Sequence, residues 1–79
     1  VQIEVRLYAT LRQQAPSGAA AGVFFASVPQ GSTVAELLNI IGVAPARVHM
    51  LMVNGAGVNL GHILGEGDRV GLFPPVGGG

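Results

Sequence analysis

The residues best suited to chemistry lie at the end of the sequence. Gly77, Gly78 and Gly79 follow Phe73-Pro74-Pro75-Val76. A terminal Gly-Gly carries its carboxylate on the thinnest backbone available, because glycine lacks a Cβ and reaches angles closed to other residues. Such a tail can thread a narrow tunnel into another protein's active site and offer its carboxylate as a reagent. The two prolines cannot continue a helix and favour an extended segment that holds the tail off the body. The plain alternative is a frayed end or a cloning scar with no function. The rest of the chain decides between them.

Other reactive groups are few. Cysteine is absent, which removes disulfides, thiolate metal sites and a cysteine nucleophile, and fits a reducing cytoplasm. His49 and His62 are isolated and suggest no metal site. Glu66 and Asp68 flank Gly67 in a turn, where Asp68 is expected to bond local backbone amides rather than to form a catalytic pair. Gly65-x-Gly67 lacks the strand-loop-helix setting of a phosphate loop. The four arginines (Arg6, Arg12, Arg47, Arg69) balance four acids, and lysine is absent. Without a basic stripe, nucleic acid is not an expected partner. No apolar run approaches the roughly 18–20 residues of a membrane span. Val1 to Val5 alternates like a strand and lacks the shape of a signal peptide. A near-neutral surface with many aliphatic residues suggests docking to another protein.

Those groups must be positioned by a single small domain of 79 residues. Val1 to Tyr8 alternates, with Val1, Ile3, Val5 and Leu7 on the buried face of a strand. Residues 9–14 read as a short loop or turn, and 15–22 as the loosest stretch before the tail. Val23 to Val28 is a second strand, ended by Pro29 and expected to form a hairpin with the first. Ser32 or Thr33 caps a helix, with Glu36 placed for a capping box after Thr33. Val34, Leu37, Leu38 and Ile41 follow the spacing of one buried helical face, and Gly42 stops it. Residues 43–48 are a turn with a little helix. The apolar run Met50 to Val53 predicts an interior strand with Met50 and Met52 in the core. Asn54-Gly55 turns the chain. Residues 57–60 suggest a short edge strand, and 61–67 a loop with Ile63 and Leu64 tucked inward. Gly65 to Asp68 turns into the last strand, Arg69 to Phe73.

The order strand, strand, helix, strand, short strand, strand is that of an α+β fold, the β-grasp or ubiquitin-like roll. It is a mixed sheet of four to five strands on one main helix. The expected division is a β-grasp domain over 1–76 and a glycine tail over 77–79. First and last strands then lie parallel in mid-sheet, and the tail leaves directly from a central strand.

Three segments make the chain resemble the sulfur-carrier family that includes the small subunit of molybdopterin synthase (MoaD) and the thiamine-pathway carrier (ThiS). Tyr8-Ala9-Thr10-Leu11-Arg12 is similar to the aromatic-Ala-x-Leu-Arg segment after the family's first strand. Val53-Asn54-Gly55 is similar to its central Val-Asn turn. Leu64 to Val70, running into Phe73-Pro74-Pro75-Val76-Gly77-Gly78-Gly79, is similar to its Gly-Asp-x-Val and Pro-Pro-Val-x-Gly-Gly ending. That ending resembles the molybdopterin branch more than the thiamine branch.

The resemblance implies a chemistry. A carboxylate is a poor electrophile because its leaving group is oxide. A partner of the ubiquitin-activating (E1-like) type would adenylate the Gly79 carboxylate with ATP, and a sulfur donor would displace AMP to leave a thiocarboxylate. The large subunit of molybdopterin synthase, or an equivalent acceptor, would then take the sulfur for a molybdopterin or tungsten-pterin cofactor. The chain would be a protein cosubstrate rather than an enzyme, binding no cofactor itself, with ATP used by the activating partner. Gly79 would carry the reactive group and Gly78 would be the slender neighbour, since a side chain there would clash with a tunnel wall. Gly77 would be a permissive spacer. Tyr8, Arg12, Phe73, Pro74, Pro75 and Val76 would face the partners. The alternatives are a thiamine-pathway carrier, a ubiquitin-like modifier joined through Gly79 to target lysines, and an interaction module with an inert tail.

Overall fold

The computed structural model describes residues 1–16 and 20–75. The alternating first segment forms strand β1, Gln2–Leu7, with Ile3, Val5 and Leu7 buried. Strand β2, Val23–Ser27, runs antiparallel beside it, with Ile3 opposite Ala26 and Val5 opposite Phe24. Helix α1 spans Val34–Ile41. Strand β3, Met50–Val53, hairpins into the two-residue strand β4, Ala56–Gly57. Strand β5, Arg69–Phe73, lies parallel to β1 and antiparallel to β3. The sheet order is β2-β1-β5-β3-β4, so the first and last strands occupy the middle. This five-stranded mixed sheet with one main helix is the expected β-grasp arrangement.

One face of the sheet holds the core. Ile3, Val5 and Leu7 of β1, Val70 and Leu72 of β5 and Val53 of β3 join Val34, Leu37 and Leu38 of α1 in one buried cluster. Thr33 rather than Ser32 caps the helix. Its Oγ1 accepts the Glu36 amide at 3.3 Å, while the Glu36 carboxylate accepts the Thr33 amide at 3.0 Å. The next two amides, of Val34 and Ala35, donate to the carbonyls of His62 and Leu60 at 2.9 and 3.0 Å. The loop before β5 therefore satisfies the orphan donors of the first turn. Gly42 ends the helix in the left-handed region at φ 80°, donating to the Leu38 carbonyl.

The structure corrects four expectations. Residues 9–14 form a 3₁₀ helix, Ala9–Gln14, which buries Leu11. β3 is not buried on both faces: α1 covers one face of the sheet, so Leu51 and Val53 turn toward the core. Met50 and Met52 turn to the opposite side, and Met50 is 48% exposed. The edge strand is Ala56–Gly57 rather than 57–60. Asn54 and Gly55, at φ 52° and 84°, make a two-residue turn that pairs Val53 directly with Ala56. Ile63 is 64% exposed, whereas Leu64 is buried, since neighbours on extended chain point opposite ways.

Candidate docking face and tail exit

The face of the sheet away from α1 carries the candidate site. The two-residue period that buries Ile3, Val5 and Leu7 turns Glu4, Arg6 and Tyr8 outward. The same parity turns out Arg69, Gly71 and Phe73 of β5 and Met50 and Met52 of β3. Register then orders them into rows: Glu4 beside Arg69, Arg6 beside Gly71 and Met52, and Phe73 beside Met50. Leu7 pairs with Leu72, so the next residues, Tyr8 and Phe73, meet. Their rings stack with centroids 4.3 Å apart and planes 3° from parallel. A Cβ on Gly71 would stand 3.4 Å from Tyr8 and 3.5 Å from Phe73, so the missing side chain leaves the rings room over the strand.

Beside this stack an open groove of about 520 Å³ is lined by Tyr8, Phe73, Met50, His49, Pro74 and Pro75. It lies where β5 ends and the chain turns off the sheet through the prolines. A smaller hollow of about 230 Å³ on the other side of the stack is lined by Arg6, Arg69, Met52 and Gly71 among others. Glu4 accepts from Arg6 at 2.5 Å and stands 3.5 Å from Arg69. The hydrogen bond to Glu4, then its charge, raises the Arg6 guanidinium above its ordinary pKa. Two guanidiniums thus share the Glu4 carboxylate.

At the opposite end of β5, two of the segments singled out in the sequence bond one another. Asp68 accepts the Gly65 amide at 2.7 Å and the Asn54 side-chain amide at 2.9 Å. The Asn54 side chain in turn accepts the Arg69 amide at 3.0 Å. The Val-Asn turn and the Gly-Asp turn thus form one clamp that fixes β5 against β3. Asp68 bonds backbone as expected.

A family model described as the ThiS family matches residues 5–79. The chain belongs to the ThiS family. Solved structures agree with that placement. The crystal structure of small archaeal modifier protein 1 from Haloferax volcanii is 28% identical with a TM-score of 0.76, each chain covered in full. A Pyrococcus furiosus protein described as subunit 1 of a molybdopterin converting factor is 26% identical with a TM-score of 0.74. The alignment covers 96% of this chain and 99% of that one. Subunit 1 or 2 of the Helicobacter pylori molybdopterin-converting factor, solved as a complex of the two, matches at 25% identity and a TM-score of 0.64 over the full length of both chains. No curated protein matches by sequence. The coarse class follows: a sulfur carrier of the ThiS and MoaD kind, or a ubiquitin-like modifier of the small archaeal kind.

In this ThiS-family chain the residues expected to face partners are only partly gathered. Tyr8, Phe73, Pro74 and Pro75 line one groove. Arg12 is exposed on the 3₁₀ helix and lines neither hollow; its Cγ stands 3.0 Å from where a Cβ on Gly22 would sit. Val76, Gly77, Gly78 and Gly79 lie outside the described residues. His49 and Met50 were missed as lining residues, one read as an isolated loop histidine and the other as core. Strand parity could have found Met50, because it lies an odd number of residues from buried Val53. Among the described residues no group of three His, Asp or Glu side chains could hold a metal ion. No helix among them is long and apolar enough to cross a membrane.

Proposed function

We propose that this chain is a sulfur-carrying protein cosubstrate whose reactive atom is the terminal sulfur of a Gly79 thiocarboxylate. The observation that carries the reading is the ThiS-family match, which runs through Gly79 itself. An activating enzyme transfers AMP from ATP to the Gly79 carboxylate and releases pyrophosphate. The acyl-adenylate has AMP as its leaving group in place of oxide. A donor at the sulfide level attacks the carbonyl carbon, AMP departs, and the C–S bond remains as thiocarboxylate. The chain supplies no catalytic group to these steps. It supplies a docking face, a rigid origin for the tail and a terminus thin enough to enter the partner's site.

Tyr8, Phe73, Met50 and the Pro74-Pro75 rim form the apolar centre of docking, with Arg6 and Arg69 as a charged flank. Val76 extends the contact and Gly77 spaces the tail. Gly78 passes the constriction. The sulfur acceptor is the large subunit of molybdopterin synthase or an equivalent, by analogy with the two-subunit complex among its relatives. The pathway is a molybdopterin or tungsten-pterin cofactor, with the thiamine pathway as its alternative, in the cytoplasm. ATP is held by the activating enzyme and not by this chain.

A second reading has its own support in the 28% identity to small archaeal modifier protein 1. Here the Gly79 acyl group passes to the amine of a target lysine. With no lysine of its own, the chain forms no side-chain-linked polymers of itself. The two readings share adenylation and part afterward. Deleting Gly79 is expected to abolish ATP–pyrophosphate exchange by the activating enzyme while leaving the melting temperature unchanged. Exchange that persists in the deletion overturns both readings. Gly79 isopeptide conjugates isolated from cells, without thiocarboxylate, favour the modifier.

A further inference from the structure

The edge strand β2 has a property that the carrier role does not use. Register and hydrogen bonding fix which of its groups face outward. The Val28 amide donates to the Val1 carbonyl at 2.9 Å, and the Val1 amine to the Val28 carbonyl at 2.6 Å. Antiparallel pairs alternate, so Ala26 and Phe24 are the residues of β2 bonded to β1. The amides and carbonyls of Val23, Phe25 and Ser27 therefore point to the open side, where no strand lies among the described residues. Exposed edges are normally guarded by charge, proline or a bulge. β2 has none of these: between Arg12 and Glu36 the sequence holds no charged residue, and the first proline after β2 is Pro29. Phe25 in the middle of the strand is 62% exposed.

We propose that β2 is a self-pairing edge that joins two copies of this chain, antiparallel, about a two-fold axis at Phe25. The strand is self-complementary in that register. Phe25 meets Phe25 of the second copy as a hydrogen-bonded pair, and Val23 meets Ser27 on either side. Each outward donor finds an outward acceptor, and the two phenyl rings cover one another on the open face. No like charges are brought together. The nearest acid across the sheet, Glu4, pairs with Phe25. The two copies of Glu4 then stand three strand spacings apart, about 14 Å, beyond the roughly 8 Å screening length of physiological salt. A five-residue edge with one aromatic pair is smaller than the roughly 1,200 Å² typical of stable interfaces, so the dimer is weak and dissociates on dilution. The docking groove starts at Tyr8, just past the end of β1, and runs toward β5 and β3, away from the open side of β2, so it stays free.

Sedimentation velocity of the full chain from about 10 µM to 1 mM tests this, with NMR amide shifts followed over the same range. The expected result is a concentration-dependent dimer, with shifts centred on the amides of Val23, Phe25 and Ser27. Phe25→Lys, which sets two ammonium groups opposite each other, abolishes it with an unchanged fold. Because the chain has no cysteine, Phe25→Cys gives a second readout. A hydrogen-bonded pair has Cα atoms about 5.5 Å apart, within disulfide reach. Oxidation should cross-link Phe25→Cys at least about tenfold faster than Gln30→Cys at equal concentration. A chain that stays monomeric at 1 mM overturns the proposal. So does a dimer that survives Phe25→Lys, since another surface then joins the copies.

Discussion

Replacing Phe73 by alanine separates docking from folding. Phe73 is half-buried on the open face, and its main ring contact is the Tyr8 stack. An aromatic pair adds about 0.5–1.5 kcal/mol beyond area burial. With part of the ring's transfer energy included, Phe73→Ala costs about 1–2 kcal/mol of stability. Its neighbour Leu72 is fully buried on the core face, and Leu72→Ala costs about 2–5 kcal/mol. A domain of 79 residues has a total stability of about 4–12 kcal/mol. Phe73→Ala therefore stays folded at 25 °C, with a melting temperature lower by about 4–16 °C. Activation should suffer far more. If Phe73 is an anchor worth at least about 2 kcal/mol, the KM for the carrier in ATP–pyrophosphate exchange rises about thirtyfold or more, and kcat changes little. The assay is initial exchange rate against carrier concentration, paired with thermal melting of the same preparations. A folded Phe73→Ala with KM within about twofold of the parent refutes the docking role. A melting temperature as low as that of Leu72→Ala refutes the claim that this face stands outside the core.

Three further substitutions probe the supports. Thr33→Ala removes the Oγ1 acceptor of the Glu36 amide, leaves the Thr33 amide free to donate to Glu36, and should cost about 1 kcal/mol, read as a shift in urea midpoint without change of slope. Gly22→Ala places a Cβ 2.6 Å from the Leu7 carbonyl at φ 77°, so its loss should exceed the roughly 1 kcal/mol of an ordinary glycine replacement, measured by thermal melting. Asp68→Ala removes the acceptor for Gly65 and Asn54 and should cost about 2–3 kcal/mol, with faster amide exchange at Gly65 and Arg69. Unchanged exchange at Arg69 would show that the clamp does not hold the start of β5.

Much of the fold was legible because local signals agreed with the tertiary outcome. The alternation of Ile3, Val5 and Leu7, the capping box at Thr33 and the positive-φ stop at Gly42 each describe physics that acts within a few residues. Met50 and Met52 were not legible in the same way. A short apolar run reads identically whether a helix covers one face of its sheet or both, and which side is covered is a property of the whole molecule. The docking groove shows the same limit. Tyr8 and Phe73 are 65 positions apart, and only the parallel pairing of Leu7 with Leu72 stacks them. Family similarity found both, whereas His49 and Met50 join the groove through register alone. The Asn54–Asp68 clamp was visible as two separate turns; their bond depends on β3 lying beside β5.

The carrier reading turns on one atom at Gly79. The most direct test is intact mass spectrometry of the chain after incubation with an activating enzyme, ATP and a sulfur donor, followed by fragmentation. The carrier reading predicts a gain of about 16 Da, sulfur for oxygen, localised to Gly79 and dependent on ATP. An unshifted mass with several competent activating enzymes, or a gain localised elsewhere, would contradict it.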